Sequence, residues 1–163
     1  IYKSLTGNTR KVAEAIRDAL GGEEIVYFGE PKPDIVADLY FVGSWTDKGS
    51  CDGTVGEYLK QLEGKKLAVF GTAGYGGSRE YYQKLACRVT ECVPDTSEVL
   101  GSFYCQGKMP IGVRNRYVAM LREHPEDQKL NASVKNFDEA LSHPDEKDFA
   151  DARQWAQTMV DAV

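Results

Sequence analysis

The chain has 163 residues, a formal net charge of −5 at pH 7 and a sequence pI of about 5.1. That length suits one domain with a core of its own, and an acidic balance without any Lys/Arg cluster argues against nucleic acid and anionic membrane as partners. No apolar run approaches the roughly 18 residues of a membrane span, and no signal peptide heads the sequence, so a cytoplasmic protein is expected.

Ile1-Tyr2-Lys3 reads as the C-terminal end of a first strand whose start is truncated in this sequence. Ser4-Leu5-Thr6-Gly7-Asn8-Thr9 follows, and Val12, Ala13, Ile16 and Leu20 then recur at helical spacing until Gly21-Gly22. Small hydroxyl and glycine residues just before a helix are suited to holding a phosphate. The first N–H groups of a helix lack intrahelical partners and sit at the positive end of its dipole. Ser4, Thr6 and Thr9 can add hydroxyl donors, while Gly7 and Asn8 accept the turn the backbone needs. The pattern G-x-x-x-x-G-K-[ST] is absent, so the phosphate is expected on a ligand bound whole rather than cleaved.

Further strands are expected at Glu24–Phe28, Asp38–Gly43, Lys66–Gly71 and Val99–Cys105, with helices at Thr54–Leu62 and Tyr81–Cys92. Pro144 to Val163 reads as the closing helix, with Pro144 in its first turn. Residues 106–143 are harder to read: Tyr117 to Glu123 suits a helix, yet Gly112, Pro125 and Asn131 interrupt any long element. His124-Pro125-Glu126-Asp127 and His143-Pro144-Asp145-Glu146 both read as helix starts, and no metal site is expected there. Cys51, Cys87, Cys92 and Cys105 form no Cys-x-x-Cys pair and are expected to be free, buried thiols. The alternation is that of a parallel α/β sheet, in which ligands bind beyond the carboxyl ends of the strands. Three loops leave such ends: Ser4–Thr9, Ser44–Gly53 and Thr72–Ser78. The exit of the last strand, Cys105–Met109, can join them.

Taken with these loops, the chain resembles the flavodoxin family, whose [ST]-x-T-G-x-T signature is matched at each fixed position by Ser4, Thr6, Gly7 and Thr9. The resemblance implies a three-layer α/β/α fold with a five-stranded parallel sheet, a single domain over residues 1–163, and FMN as a non-covalent cofactor. It implies that Ser4, Leu5, Thr6, Gly7, Asn8 and Thr9 hold the phosphate, and that the isoalloxazine lies between Ser44-Trp45-Thr46-Asp47-Lys48-Gly49 and Thr72-Ala73-Gly74-Tyr75-Gly76. Trp45 is the candidate to stack on one ring face and Tyr75 on or near the other. Gly49 is the candidate for the flexible peptide beside flavin N5. Asp47 and Asp52 near the ring disfavour added negative charge there, and Lys48 opposes them. The chain departs from the shortest flavodoxins in its glycine-rich third loop and in Cys105-Gln106-Gly107-Lys108-Met109-Pro110, where Lys108 can face the flavin or a partner.

Three functions fit this family. One is a carrier taking electrons from a reductase to a redox partner protein, as a monomer or weak dimer docking through an acidic face. Another is an electron-donating subunit of one reductase, with Gln106–His143 as its docking surface. The third is an FMN-dependent NAD(P)H:quinone reductase, which needs open space over the ring. Two other uses of the architecture fail on residues. A low-molecular-weight phosphatase needs Cys-x5-Arg, whereas Glu57, Val93, Glu98 and Ile111 stand at the arginine position. A receiver domain needs an aspartate where Gly43 and Ser44 stand.

Overall fold

Leu67-Ala68-Val69-Phe70 is apolar at every position, as befits a strand covered on both faces. In the computed structural model, which describes residues 1–163, these residues lie in an inner strand of the sheet. The elements run β1 (Tyr2–Lys3), α1 (Asn8–Ala19), β2 (Leu39–Asp47), β3 (Ser50–Cys51), α2 (Gly53–Leu59), β4 (Lys66–Ala73), α3 (Arg79–Thr90), β5 (Glu98–Gln106), α4 (Ile111–Glu123), α5 (Gln128–Ala140) and α6 (Glu146–Asp161). Strands β1, β2, β4 and β5 are parallel neighbours in that order, and β3 turns back antiparallel on β2 as the fifth strand.

Side chains of a strand alternate between faces, and the core divides accordingly. Tyr40, Val42, Leu67 and Val69 pack with Val55, Tyr58 and Leu59 of α2 and Val89 of α3. Phe70 and Cys105 pack on the other face with Val12, Ala13 and Ile16 of α1 and Ala152 and Ala156 of α6. The expected α/β fold with helices on both faces is therefore present. No helix is long and apolar enough to cross a membrane.

Four expectations need correction. Glu24–Phe28 forms no strand, and its Ile25 and Val26 side chains are exposed. β1 offers only Tyr2 and Lys3 for pairing, and on its outer side Tyr2 N–H makes a single bond to the Gly29 carbonyl at 2.9 Å. The fifth strand is β3 instead. Residues 106–143 are more regular than their sequence suggests, forming α4 and α5. Asn131 is tolerated inside α5 because its Nδ2 donates back to the Asp127 carbonyl at 2.9 Å. The closing helix begins at Glu146, with Asp145 as its cap and Pro144 before it. All four cysteines are free, but only Cys105 is buried; Cys51 and Cys92 are half-buried and Cys87 is exposed.

Candidate functional site

Between β1 and α1 the chain turns through Gly7 at φ 93°, a left-handed conformation in which a side chain is strained. A Cβ there would meet nothing within 4 Å, so conformation rather than space requires glycine. The Ser4 Oγ accepts from the Gly7 N–H at 3.1 Å and closes the turn. No side chain caps α1. The N–H groups of its first turn therefore lack both intrahelical and side-chain partners at the positive end of the dipole. Thr6 Oγ1 accepts from Asn8 Nδ2 at 3.2 Å, which leaves its hydroxyl hydrogen free to donate outward. Leu5 and Thr6 are exposed. Asn8 is buried, its Nδ2 also donates to the Lys108 carbonyl at 2.9 Å, and its Oδ1 has no partner.

Thr9 differs from the expectation. It is 1% exposed, and its hydroxyl pairs with that of Thr72 at 2.9 Å. The hydroxyl is spent inside the fold, and only the backbone N–H of Thr9 stays with the helix start. Thr72 in turn gives its carbonyl to Thr46 Oγ1 at 2.9 Å. One buried residue at the end of β4 thus ties all three predicted loops together.

The second loop is tighter than its irregular composition suggests. Ser44, buried, donates to the Trp45 carbonyl at 2.7 Å and accepts from the Asp52 N–H at 2.8 Å. Asp47 pairs with Ser50 across a two-residue turn in which Lys48 (φ 47°) and Gly49 (φ 79°) are both left-handed, the signature of a type I′ hairpin. The Gly49 carbonyl accepts from the Arg88 guanidinium at 3.3 Å, so this peptide, expected to be free, is held to α3. Trp45 is half-buried, and its indole N–H donates to Asp52 Oδ2 at 3.1 Å. Burial pushes the Asp52 carboxyl up, but hydrogen bonds from the Thr54 backbone and side chain and from Trp45, with the Lys3 charge, together hold it below its ordinary value.

The third loop is clamped from the strand exit expected to join the loops and from a helix far along the chain. The Gly74 carbonyl accepts from Gln106 Nε2 at 3.1 Å and Asn136 Nδ2 at 3.0 Å. A Cβ at Gly76 would meet Gln106 as far back as its Cβ, one at Gly74 would meet the flexible end of Met109, and Gly77 is left-handed at φ 82°. Ala73 is buried at the end of β4. Tyr75 is 44% exposed, and its hydroxyl lies 2.9 Å from Ser133 Oγ and 3.5 Å from the Tyr117 hydroxyl. Its phenol is therefore turned toward the α4–α5 hairpin. The position of Gln106 and Met109 at a strand exit was the one sequence signal for this clamp; Ser133 and Asn136, inside a helix far along the chain, had none.

An apolar cavity of about 470 Å³ lies apart from these loops, beneath residues 23–28 and 35–41. It contains none of the phosphate-loop or hairpin residues.

A family model described as "Flavodoxin domain" matches residues 1–157. The flavodoxin-like domain-containing protein BilS of Clostridioides difficile (strain CD3) is 35% identical over 98% of this chain and 94% of its own length. BilS of Clostridium symbiosum (strain WAL-14163) is 37% identical over 92% of this chain and 88% of its own. Among solved structures, oxidised flavodoxin 2 from Bacillus cereus superposes with a TM-score of 0.53 at 16% identity, covering 99% of this chain and 96% of that one. That last likeness is one of fold.

Proposed function

Since this chain belongs to the flavodoxin domain family, we propose that it is an FMN-binding electron-transfer protein that takes electrons from a reductase and hands them to a redox partner protein. FMN is the family's cofactor, and the residues present suit it. The observation that carries this reading is the uncapped start of α1, where Gly7 at φ 93° turns unpartnered N–H groups toward an exposed loop bearing the Ser4 and Thr6 hydroxyls. A phosphate completes such a helix start.

When bound, FMN supplies the electron chemistry through its isoalloxazine ring. The protein binds and orients it. Asn8, Thr9 and Arg10 offer backbone N–H groups to the phosphate, and Ser4 and Thr6 offer hydroxyls. Thr72 fixes the spacing of the phosphate loop from the two ring-side loops through its bonds to Thr9 and Thr46. Trp45, whose indole is held by its bond to Asp52, would supply the aromatic group on one face of the ring. Tyr75, its phenol held toward the α4–α5 hairpin by Ser133, would border the other side through the Thr72–Gly76 loop rather than by stacking its ring. The Asp47–Lys48–Gly49 turn lies at the end of β2 as a defined hairpin, with Arg88 holding its carbonyl. Residues 1–163 act in this reading as one domain, in the cytoplasm, where four free cysteines stay reduced.

The test is anaerobic reduction of the FMN-loaded protein. A carrier is reduced by dithionite and not by NAD(P)H alone. Rapid direct reduction by NAD(P)H, followed by reoxidation with quinone, would replace this reading with that of a quinone reductase.

A further inference from the structure

α4 is a helix with no buried residue. At about 100° per residue, its half-buried residues Val113, Arg114, Tyr117, Val118 and Leu121 fall on one half of the helix. That half meets α5 through the Arg114–Asp138 pair at 2.8 Å and approaches the third loop through Tyr117. The opposite half is open to solvent and carries Ile111, Ala119 and Met120 with Arg116 and Arg122. Ile111 is 63% exposed and Met120 51%.

The segment around α4 is locally basic within an acidic chain. From Gln106 to Glu123 there are four cations, Lys108, Arg114, Arg116 and Arg122, against the single anion Glu123, a local charge of +3 in a chain whose total is −5. Arg114 is paired, whereas Lys108, Arg116 and Arg122 make no ion pair. Lys108 stands beside the phosphate loop, because its carbonyl receives the Asn8 amide at 2.9 Å. Singly exposed apolar residues need no partner. Arginine and methionine interleaved on one open half-helix, with Glu123 its one carboxylate, match the composition of protein interfaces.

We propose that the outer face of α4, with Lys108 at its edge, is where the redox partner docks, and that the partner meets it with an acidic surface around apolar contacts. This rests on the electron-transfer reading above and reverses the acidic docking face that the net charge suggests. Lys108, uncompensated beside the phosphate loop, and the unpaired Arg116 and Arg122 on the open half of α4 steer an oppositely charged partner, and they do so locally even when the whole molecule is negative.

The FMN-loaded protein, reduced with limiting dithionite, is mixed by stopped flow with anionic hexacyanoferrate(III) or cationic hexaammineruthenium(III) over a range of salt. Each electron leaving the flavin reduces one metal ion from the trivalent to the divalent state, and the flavin's protons pass to solvent. The proposal predicts that the anionic oxidant reacts faster at low salt and slows as salt rises, with the cationic one behaving oppositely. Reversal at K108E/R116E/R122E slows the anionic reaction by roughly tenfold at low salt, and the milder R116Q/R122Q moves it in the same direction. A control reversal on the far end of the sheet, K32E/K60E/K65E, leaves it near the wild-type rate. Polyglutamate, the probe for an acidic macromolecule, inhibits the wild-type reaction at low salt and not that of the α4 variant.

An anionic oxidant that speeds up with salt, or equal effects of the two triple variants, overturns the proposal, since the total charge then governs. Binding to phosphatidylglycerol vesicles that K108E/R116E/R122E abolishes would assign the face to a lipid surface instead and overturn it too. Failure to take up FMN at all sinks both this proposal and the function above, whereas bound FMN with the wrong salt dependence sinks only this one.

Discussion

At α6 the chain completes its own helix start. Asp145 accepts from the Asp148 N–H at 2.9 Å, the Asp148 carboxylate accepts from the Asp145 N–H at 2.9 Å, and His143 Nδ1 lies 2.6 Å from that carboxylate. At α1 no side chain does this; a left-handed glycine stands where α6 has its aspartate, and the neighbouring hydroxyls face outward or close the loop. Both helices pack on the same face of the sheet and share a core. What differs is who supplies the missing acceptors. Local sequence supplies them at α6, so that end is complete without a ligand, while at α1 no side chain does, and the function proposed above gives that place to an anion. The His143-Asp145-Asp148 group, which could hold a metal on composition, is accounted for by the same capping.

This contrast can be broken at either helix. The largest effect is expected at the buried Thr9–Thr72 link behind α1: Thr9→Val strands the Thr72 hydroxyl in the core, at a cost of about 1–3 kcal/mol, read as a lower thermal midpoint with or without FMN. Next is Gly7→Val, where a β-branched residue in left-handed backbone costs about 1–2 kcal/mol, read as FMN binding weakened by roughly tenfold in a fluorescence titration. Asp145→Ala should do the reverse, lowering the thermal midpoint by about 2–4 °C through the lost cap while FMN affinity stays at the wild-type value. If Asp145→Ala weakens FMN binding as much as Gly7→Val does, the two helix starts do not play separate roles.

The smallest effect is in the acid range. The backbone hydrogen bond from Asp148, aided by the His143 charge and outweighing the effect of burial, holds the Asp145 carboxyl below its ordinary 3.8. A carboxyl with a lowered folded-state value stabilises fully above the unfolded value and loses that contribution as pH falls through the folded one. The thermal midpoint of the wild-type chain should therefore drop more steeply below pH 3.8 than that of Asp145→Asn, which cannot titrate. Parallel curves would separate the α6 cap from this carboxylate.

The parts of the molecule set by local pattern were legible in the sequence. Three apolar runs and the Ile1–Lys3 end lie in strands, Val12–Ala13–Ile16 mark the buried face of α1, and the Ser4–Thr9 loop falls between a strand and a helix as its residues require. Partners distant in sequence were not legible. Glu24–Phe28 has strand composition but no ladder to join, a property of its neighbour rather than of itself. Lys48 hid the hairpin, because a lysine at left-handed φ is tolerated only once the flanking strand pair is in place. Thr9 reads as a phosphate ligand from its neighbours in sequence and as a core link from Thr72, 63 positions away. The clamp on Gly74 from Asn136 spans 62 positions.

The central claim, that the start of α1 holds a phosphate, is tested most directly by titrating the apoprotein with FMN and, separately, with riboflavin, which has the ring and ribityl chain without the phosphate. The account predicts that FMN binds at least tenfold more tightly than riboflavin and that Gly7→Val narrows the gap. Equal affinity for the two flavins would contradict it.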